Sequence, residues 1–583
     1  MQGLTHPTQN LRGLLVEQLE KSMSEKSENA ENAEKHDKLV MDCGCEFEVF
    51  GGVKDSDGLP KIKIDYDRIN YNCDKTWNIF REGRTLGVFQ LEGNLGQQWS
   101  EETKPANIDE IAELVSIIRP GVLNAKLDGK SMTKHYADRK NGKEENKCEF
   151  EALSPILNKT QNVILFQETI IRIASEICGF SLEEADSLRK SLGKKLSDKL
   201  MEVKQPFVEG AEKIGYLNSS EAEKVFEWIL ASSRYSFNQS HATSYAIGAY
   251  WSAYAKAHFP KHFNCTYMTK AKDKQTKSKK EQIREIVRDG KSDGIEVLPP
   301  DLRDIQTTNG DFYIKQGQVY YGLKSAKSIG DSSFESLKKV FTGKDICSMD
   351  FLDLLFLSPL INKSTMQSLI KSGAVDFLGV SRRHMLFEHD VFLSFSNPQV
   401  EWMSKNKKDG LIETISYALE YSKEAVKRKD KERPFFNSNS IKKAEKLLDR
   451  LLNPCYNTDD NIKWTMMHEK EVLGVVLSVK PTSGIDTAIC NTNCLGAKEH
   501  GSDGMIFLAT IASERTFKIK NGQNAGKVMC VLNLEDEFGC VEAVLWPDVL
   551  DENEHCVFEG NNVIVFGKSR NNKQVSISKL CQA

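Results

Sequence analysis

The chain has 583 residues, room for roughly four domains with cores of their own. Charged residues make up 28% of it and sum to a formal net charge of −4, so no bulk positive field draws in a polyanion and any nucleic-acid contact must come from local basic patches. The 14 cysteines are scattered, no leader peptide is evident and no apolar run is long enough for a bilayer, which predicts reduced thiols, a cytoplasmic setting and no membrane partner.

A short helix is predicted over Leu11–Met23, followed by a polar linker over Ser24–Lys38 with almost nothing to bury. Cys43 and Cys45, with His36 before and Cys73 after, offer four metal ligands in principle. C-x-C is not the usual zinc-knuckle spacing, however, and the linker separates the members, so no metal ligand is assigned. Lys61 to Asp67 alternates like a strand, placing Asp65 and Asp67 on one face as paired metal ligands must be, although an exposed strand edge gives the same pattern and is the reading adopted. Residues 1–60 are thus an N-terminal extension and linker.

Further on, Ile170, Ile173, Ala174 and Ile177 predict a helix over Val163–Ile177 that Gly179 ends. Ser181 and Glu184 have the form of a capping box, and Leu182, Ala185, Leu188 and Leu192 predict a second helix stopped by Gly193. Arg189, Lys190, Lys194 and Lys195 crowd its exit, where a triphosphate or a DNA backbone can be gripped. Cations there also suit the helix dipole with nothing bound. Next, 234–241 leads into a helix carrying Tyr245, Tyr250, Trp251 and Tyr254, closed by Lys256, His258 and Pro260. Aromatics beside cations suit nucleotides, yet an aromatic stripe at helical spacing is more often core.

Beyond Pro260, the lysine-rich run Thr269–Arg284 is predicted to be a mobile surface segment. Tyr321–Gly330 and Asn362–Leu386 each predict helix, glycine turn, helix. Two such hairpins side by side aim backbone amides at phosphates without reading sequence. Lys423–Lys446 is a charged helical tract broken at Pro434-Phe435-Phe436. Five β-rich runs, Ile506–Ile511, Lys527–Leu534, Cys540–Trp546, Asn562–Phe566 and Gln574–Ile577, predict an OB-fold with Trp546, Phe566, Lys568, Arg570 and Lys573 as plausible contacts, unless the aromatics only fill the barrel.

Several stretches in order carry a resemblance. They are Gly87-Val88-Phe89-Gln90-Leu91-Glu92, Arg119-Pro120-Gly121, Arg139-Lys140-Asn141-Gly142, Phe166-Gln167-Glu168, the run Gly179 to Lys195, and Phe237-Asn238-x-Ser240-His241-Ala242-x-x-Tyr245-Ala246. Val297 to Asp301 and His468 to Gly474 continue it. Together they resemble the bacterial replicative DNA polymerases of family C, the DNA polymerase III alpha subunits, from the fingers onward. The resemblance implies a multidomain, mainly α chain: fingers over 61–265, further fingers and tandem helix-hairpin-helix over 266–392, a helical linker region over 393–500 and an all-β OB-fold over 501–583.

By the same resemblance, Arg189, Lys190, Lys194 and Lys195 clamp the triphosphate of an incoming deoxynucleotide, and Asn238, Ser240, His241 and Tyr245 shape its pocket. Arg119, Arg139, Lys140, Lys324, Lys327, Arg382, Arg383, Lys568 and Arg570 are the expected contacts to primer-template DNA. Lys190 stands where the family usually has arginine, and Gln239 where lysine is usual, which predicts a weaker phosphate grip. The family's catalytic aspartates and phosphoesterase histidines have no counterpart here, so no catalytic residue is assigned. Mg2+ is expected on a separate palm-bearing chain, as in a split polymerase of a phage or other mobile genome. A sliding clamp is a further expected partner, although 394–460 holds no convincing clamp-binding peptide. The competing expectation is a non-catalytic DNA-binding replication accessory protein.

Overall fold

The computed structural model describes residues 37–41, 43, 45–54, 60–63, 69–193, 197–233, 235–271, 278–428, 437–480, 482, 485–499, 503–519, 522–536, 538–570 and 574–583. The chain forms two compact units, one ending at Phe263 and one beginning at Asn264. The predicted helix over Leu11–Met23, His36, Asp65, Asp67, Lys194, Lys195 and Lys573 lie outside the described residues. Asp37 and Lys38, read as the end of a linker, instead begin the strand Asp37–Val40.

In the first unit that strand opens a three-stranded antiparallel sheet with Glu46–Lys54 and Pro60–Lys63. Helices follow, arranged around the 20-residue helix Gln239–His258. Ala242, Ala246, Ala249, Ala253 and Ala257 recur three or four residues apart and are all buried, so the helix carries a stripe of small side chains. Neighbouring backbones can therefore pack closely on it, which Asp74–Arg81 and Ile108–Ile117 do. Tyr250 and Tyr254 belong to this core. Tyr250 lies 4.8 Å from Trp77 between ring centres and donates to the Asn70 carbonyl at 2.7 Å. Lys256, expected as a cation at the helix end, is buried and donates to the carbonyls of Arg84 at 2.9 Å and Leu86 at 3.0 Å, so it serves as an internal strut.

A second core in the same unit joins Leu182–Gly193, Ser197–Ile214 and Ser219–Ser232. The helix expected from Val163 starts only at Gln167 and runs through a π-turn at Ile173–Ile177. Val163 to Phe166 are extended and buried because Phe166 bridges Phe237 in parallel, with Phe237 N donating to Leu165 O and Gln167 N to Phe237 O, both at 2.9 Å. Gly179 ends the turn at φ +70°, and Ser181 and Glu184 make the predicted capping box. Leu182, read as part of the apolar stripe, is 72% exposed, as befits its place in the first turn beyond the core.

In the second unit, only the end of the run Thr269–Arg284, expected as a mobile surface segment, is seen in the capped helix Lys279–Ser292, and residues 272–277 lie outside the described residues. Lys280 and Arg284 fasten it through the carbonyls of Glu471 at 2.6 Å and Gly474 at 2.8 Å. The predicted second hairpin is present, as helices Lys363–Lys371 and Arg382–Phe392 separated by Gly373 and Gly379 at φ +82° and +71°. At Tyr321–Gly330 the helical part is shorter, a single 3-10 turn at Leu323–Ser325 ahead of the helix Asp331–Phe341. Arg382 is 3% exposed, held by Asp376 at 2.5 Å and by the fully buried Glu469 at 2.8 Å, while Glu469 also accepts from Leu477 N at 2.6 Å.

Helices Leu411–Arg428 and Ser438–Leu452, which carry the two ends of the charged tract, pack together, and the predicted break at Pro434, Phe435 and Phe436 lies outside the described residues. The five β-rich runs close a barrel in which Cys540–Leu545 pairs in parallel with Gln574–Gln582 and all other neighbours are antiparallel. Among the described residues the barrel core is largely aliphatic, with Phe507 its one aromatic; Trp546 and Phe566 lie outside it.

Two outcomes follow from buried charge. Replacing Glu469 with Ala leaves Arg382 buried beside one remaining carboxylate and should cost the second unit about 3–5 kcal/mol, read by denaturant unfolding. Glu113 is 5% exposed, accepts a short hydrogen bond from the Tyr136 hydroxyl, and is pushed up to about 7 by burial. Its folded state holds a proton that the unfolded chain has already lost, so its stabilising share is complete below about pH 4.5 and fades as pH rises towards 7. The wild type should lose melting temperature relative to Glu113→Gln across that window, and a constant difference would refute the assignment.

Candidate nucleotide and nucleic-acid sites

The Phe166–Phe237 bridge brings two segments together. Gln167 and Glu168 begin one helix, while Asn238 caps the start of Gln239–His258, accepting from His241 N at 2.8 Å. Glu168 joins them, accepting from Asn238 Nδ2 at 2.7 Å and from Gln239 N at 2.8 Å. From the other side Arg189 donates to Gln167 Oε1 at 3.1 Å. Four of the expected residues, Arg189, Asn238, His241 and Tyr245, thus fall into one chain of contacts through Gln167, Glu168 and the tilted rings of His241 and Tyr245.

Asn238, Gln239, Ser240, His241 and Ser244 are exposed and Tyr245 half-buried, whereas the helix from Ala253 to His258 is buried throughout. The His241 ring lies 4.1 Å from Tyr245, and Tyr245 lies 5.0 Å from Phe89 of the Gly-Val-Phe-Gln-Leu-Glu stretch. Helix amides at such a start favour an anion, and the rings offer a stacking surface. Asp186 holds both cations of the preceding helix, meeting Arg189 at 2.8 Å and Lys190 at 2.7 Å. Lys190 and Arg189 in turn hold the Asp186 carboxyl below its ordinary range. The positive charge is therefore present but internally compensated.

The expected DNA contacts separate into distinct environments. Arg119 lies flat over Phe237, 3.3 Å from the ring centre, and so belongs beside the nucleotide site. Arg139 and Lys140 have side chains only 13% and 14% exposed, paired with Glu144 and Glu110. Lys324 pairs with Asp331 at 3.1 Å and Lys327 with Glu471 at 3.0 Å; Lys371 and Lys327 together hold the Glu471 carboxyl down at about 2. Burial and the bonds to Asp376 and Glu469 withdraw Arg382 from any surface role, whereas its neighbour Arg383 is half-buried over Tyr456 and Trp464.

On the barrel, Phe566, Lys568 and Arg570 succeed one another at every second residue, and Arg570 lies 5.0 Å from the Trp546 ring centre. This half-exposed aromatic and cationic face is the one most suited to single-stranded nucleic acid among the described barrel residues.

Two features escaped the sequence. Glu168 was quoted only as part of a motif, and its role in capping the pocket helix depends on a partner 70 residues away. Gly121, named above only within a motif, makes room for a neighbour, since a Cβ there would lie 2.5 Å from Tyr235 Cβ. Gly142, by contrast, sits in a left-handed turn at φ +69°.

The chain was also compared with known proteins. Residues 53–215 match the bacterial DNA polymerase III alpha subunit finger domain, and 294–385 match a helix-hairpin-helix motif. The DNA polymerase III subunit alpha of Bacillus subtilis is 30% identical over 513 residues, covering 87% of this chain and 41% of that protein. That of Aquifex aeolicus is 28% identical over 513 residues, 87% of this chain and 38% of the relative, and that of Thermus aquaticus 29% over 508 residues, 85% and 37%. The chain spans about two-fifths of the length of these relatives.

Gly121→Ala should overpack this region, costing about 1–3 kcal/mol of first-unit stability, measurable by thermal unfolding. From its finger domain through its helix-hairpin-helix region to its closed barrel, the chain is a relative of the bacterial DNA polymerase III alpha subunits.

Proposed function

We propose that this chain is a component of a replicative DNA-directed DNA polymerase that holds the incoming deoxynucleoside triphosphate and the primer-template, with catalytic carboxylates on a separate palm-bearing polypeptide. The observation that carries the reading is the Phe166–Phe237 bridge, which sets the Arg189 and Lys190 helix end and the exposed start of Gln239–His258 around one pair of residues, Gln167 and Glu168. A triphosphate entering there displaces Asp186 from Arg189 and Lys190, exchanging one set of charge-assisted hydrogen bonds for another. His241 and Tyr245 then flank the base or sugar. Lys194 and Lys195 belong to the same proposal as the continuation of that cationic run.

Nucleotidyl transfer in this chemistry relies on two divalent ions that activate the primer hydroxyl and steady the leaving phosphate. Among the described residues the one group of three or more His, Cys, Asp or Glu side chains able to hold an ion is made of thiols and an imidazole. Mg2+ prefers oxygen ligands, so these residues do not fit it, and its site is assigned to the partner. In the second unit, duplex product is held by the helix-hairpin-helix region through Lys324, Lys327 and Arg383; in the first unit Arg119 is the DNA contact beside the nucleotide site, while Arg139 and Lys140 keep their helix in place. Lys568 and Arg570 hold single-stranded template. A clamp contact, a phage origin and a cytoplasmic setting fit the same proposal; among the described residues no helix is long and apolar enough to cross a membrane.

Primer extension with Mg2+ and four deoxynucleotides is measured for this chain alone, for the candidate palm polypeptide alone and for both together. Extension only with both chains is the expected result, and Arg189→Ala should then raise the nucleotide KM roughly ten- to hundredfold with a smaller change in kcat. Extension by this chain alone would overturn the split arrangement. DNA binding without extension in any mixture would favour the accessory protein.

A further inference from the structure

We infer that the first unit contains a structural zinc site formed by Cys43, Cys45, Cys73 and His258. One ligand atom from each lies within 4.8 Å of the others; Cys45, Cys73 and His258 are buried and Cys43 half-buried. His258 Nε2 stands 3.3 Å from Cys73 Sγ and 4.0 Å from Cys43 Sγ. In a tetrahedral Cys3His zinc site, sulfur and nitrogen ligand atoms sit about 3.5 Å apart and sulfurs about 3.8 Å apart, given Zn–S near 2.3 Å and Zn–N near 2.0 Å, so the two sulfur–nitrogen separations bracket the required edge.

The donor set selects the metal class. Three thiols and one imidazole suit zinc and exclude the hard oxygen-seeking cations, and four protein ligands leave no open position for a reacting water, which marks a structural site. Asn70 Nδ2 donates to Cys45 Sγ at 3.8 Å, the kind of outer hydrogen bond that stabilises a thiolate ligand. His258 ends the helix Gln239–His258, where the carbonyl dipoles also favour a cation.

The ligands come from three separate places: the turn closed by Met41 N to Cys45 O at 2.9 Å, the residue preceding the helix Asp74–Arg81, and the last turn of the alanine-striped helix. An ion there ties the small sheet to both helices. It also anchors the buried end of a helix whose exposed start, about 30 Å away along its axis, forms the candidate nucleotide site. The inference does not depend on the polymerase reading, since metal content is measured without any reaction.

The test is elemental analysis of the full-length chain purified under reducing conditions. About one zinc per folded chain is expected for a site of four protein ligands. Cys45→Ser and the double variant Cys43→Ser/Cys73→Ser should lose it, whereas Cys148→Ser and Cys455→Ser should keep it. Because unfolding alone would also release metal, chelator-stripped wild type is titrated with Co2+, which should give the visible absorption of a tetrahedral thiolate complex, saturate at one equivalent and yield to Zn2+. A folded wild type without metal and without that spectrum would overturn the inference. So would zinc retained by the double variant, or a disulfide between two of these cysteines found by mass spectrometry in the chain purified under non-reducing conditions.

Discussion

The first unit depends on the burial of one helix. Gln239–His258 presents alanine at 242, 246, 249, 253 and 257 to its neighbours, and these small side chains let the flanking helices close on it. Tyr250, Tyr254 and Lys256 are drawn inside with it, and each hydroxyl or ammonium so buried needs a partner, which carbonyls of 70, 84 and 86 supply for Tyr250 and Lys256. Exposure is confined to the first two turns, ending at Ser244. The helix therefore has a wet end with Asn238, Ser240 and His241 and a dry end with His258, and the two ends have different chemistry because the core covers one and not the other.

Charge in this unit is kept in local balance. Arg189 and Lys190 share Asp186, Arg139 meets Glu144, Lys140 meets Glu110, and Glu168 sits on the amides of the pocket helix. Such an arrangement reconciles a net charge of −4 with a set of cationic helix ends, since each cation can exchange its carboxylate for a phosphate at modest cost. Exposure separates the pairs: Lys190 is 63% exposed, whereas Arg139 and Lys140 are mostly covered and contribute more to holding their own helix in place.

In the second unit the corresponding anchor is the pair Arg382 and Glu469. Both are buried, and the surrounding amides and the Ser478 hydroxyl satisfy the carboxylate's remaining lone pairs, which is the condition under which a buried ion pair persists. The glycine turn at Gly373 lies against the Arg382 guanidinium, so the hairpin and the helix Ile462–Val472 are fixed to one another. The barrel uses a different device, an aliphatic interior closed by the parallel pairing of its third and fifth strands, which leaves Trp546 and Phe566 outside with the cations Arg570 and Lys579.

Local chemistry made much of this legible in the sequence. The capping box at Ser181, the glycines ending helices at 179 and framing the hairpin at 373 and 379, and the alternation of five barrel strands are all set by residues within a few positions of one another. The ordered motifs likewise carried the family relationship. Contacts between distant residues were not legible. Whether Tyr250 was core or contact, whether Arg382 faced phosphate or Glu469, why Val163 to Phe166 stay extended, and which histidine meets Cys43, Cys45 and Cys73 were all decided by segments 70 to 215 residues apart. The sequence alone determined the elements whose signals are local, their caps and the family relationship. Only the tertiary structure decided which polar groups lost water, because burial and charge pairing are properties of packed surfaces that no local window contains.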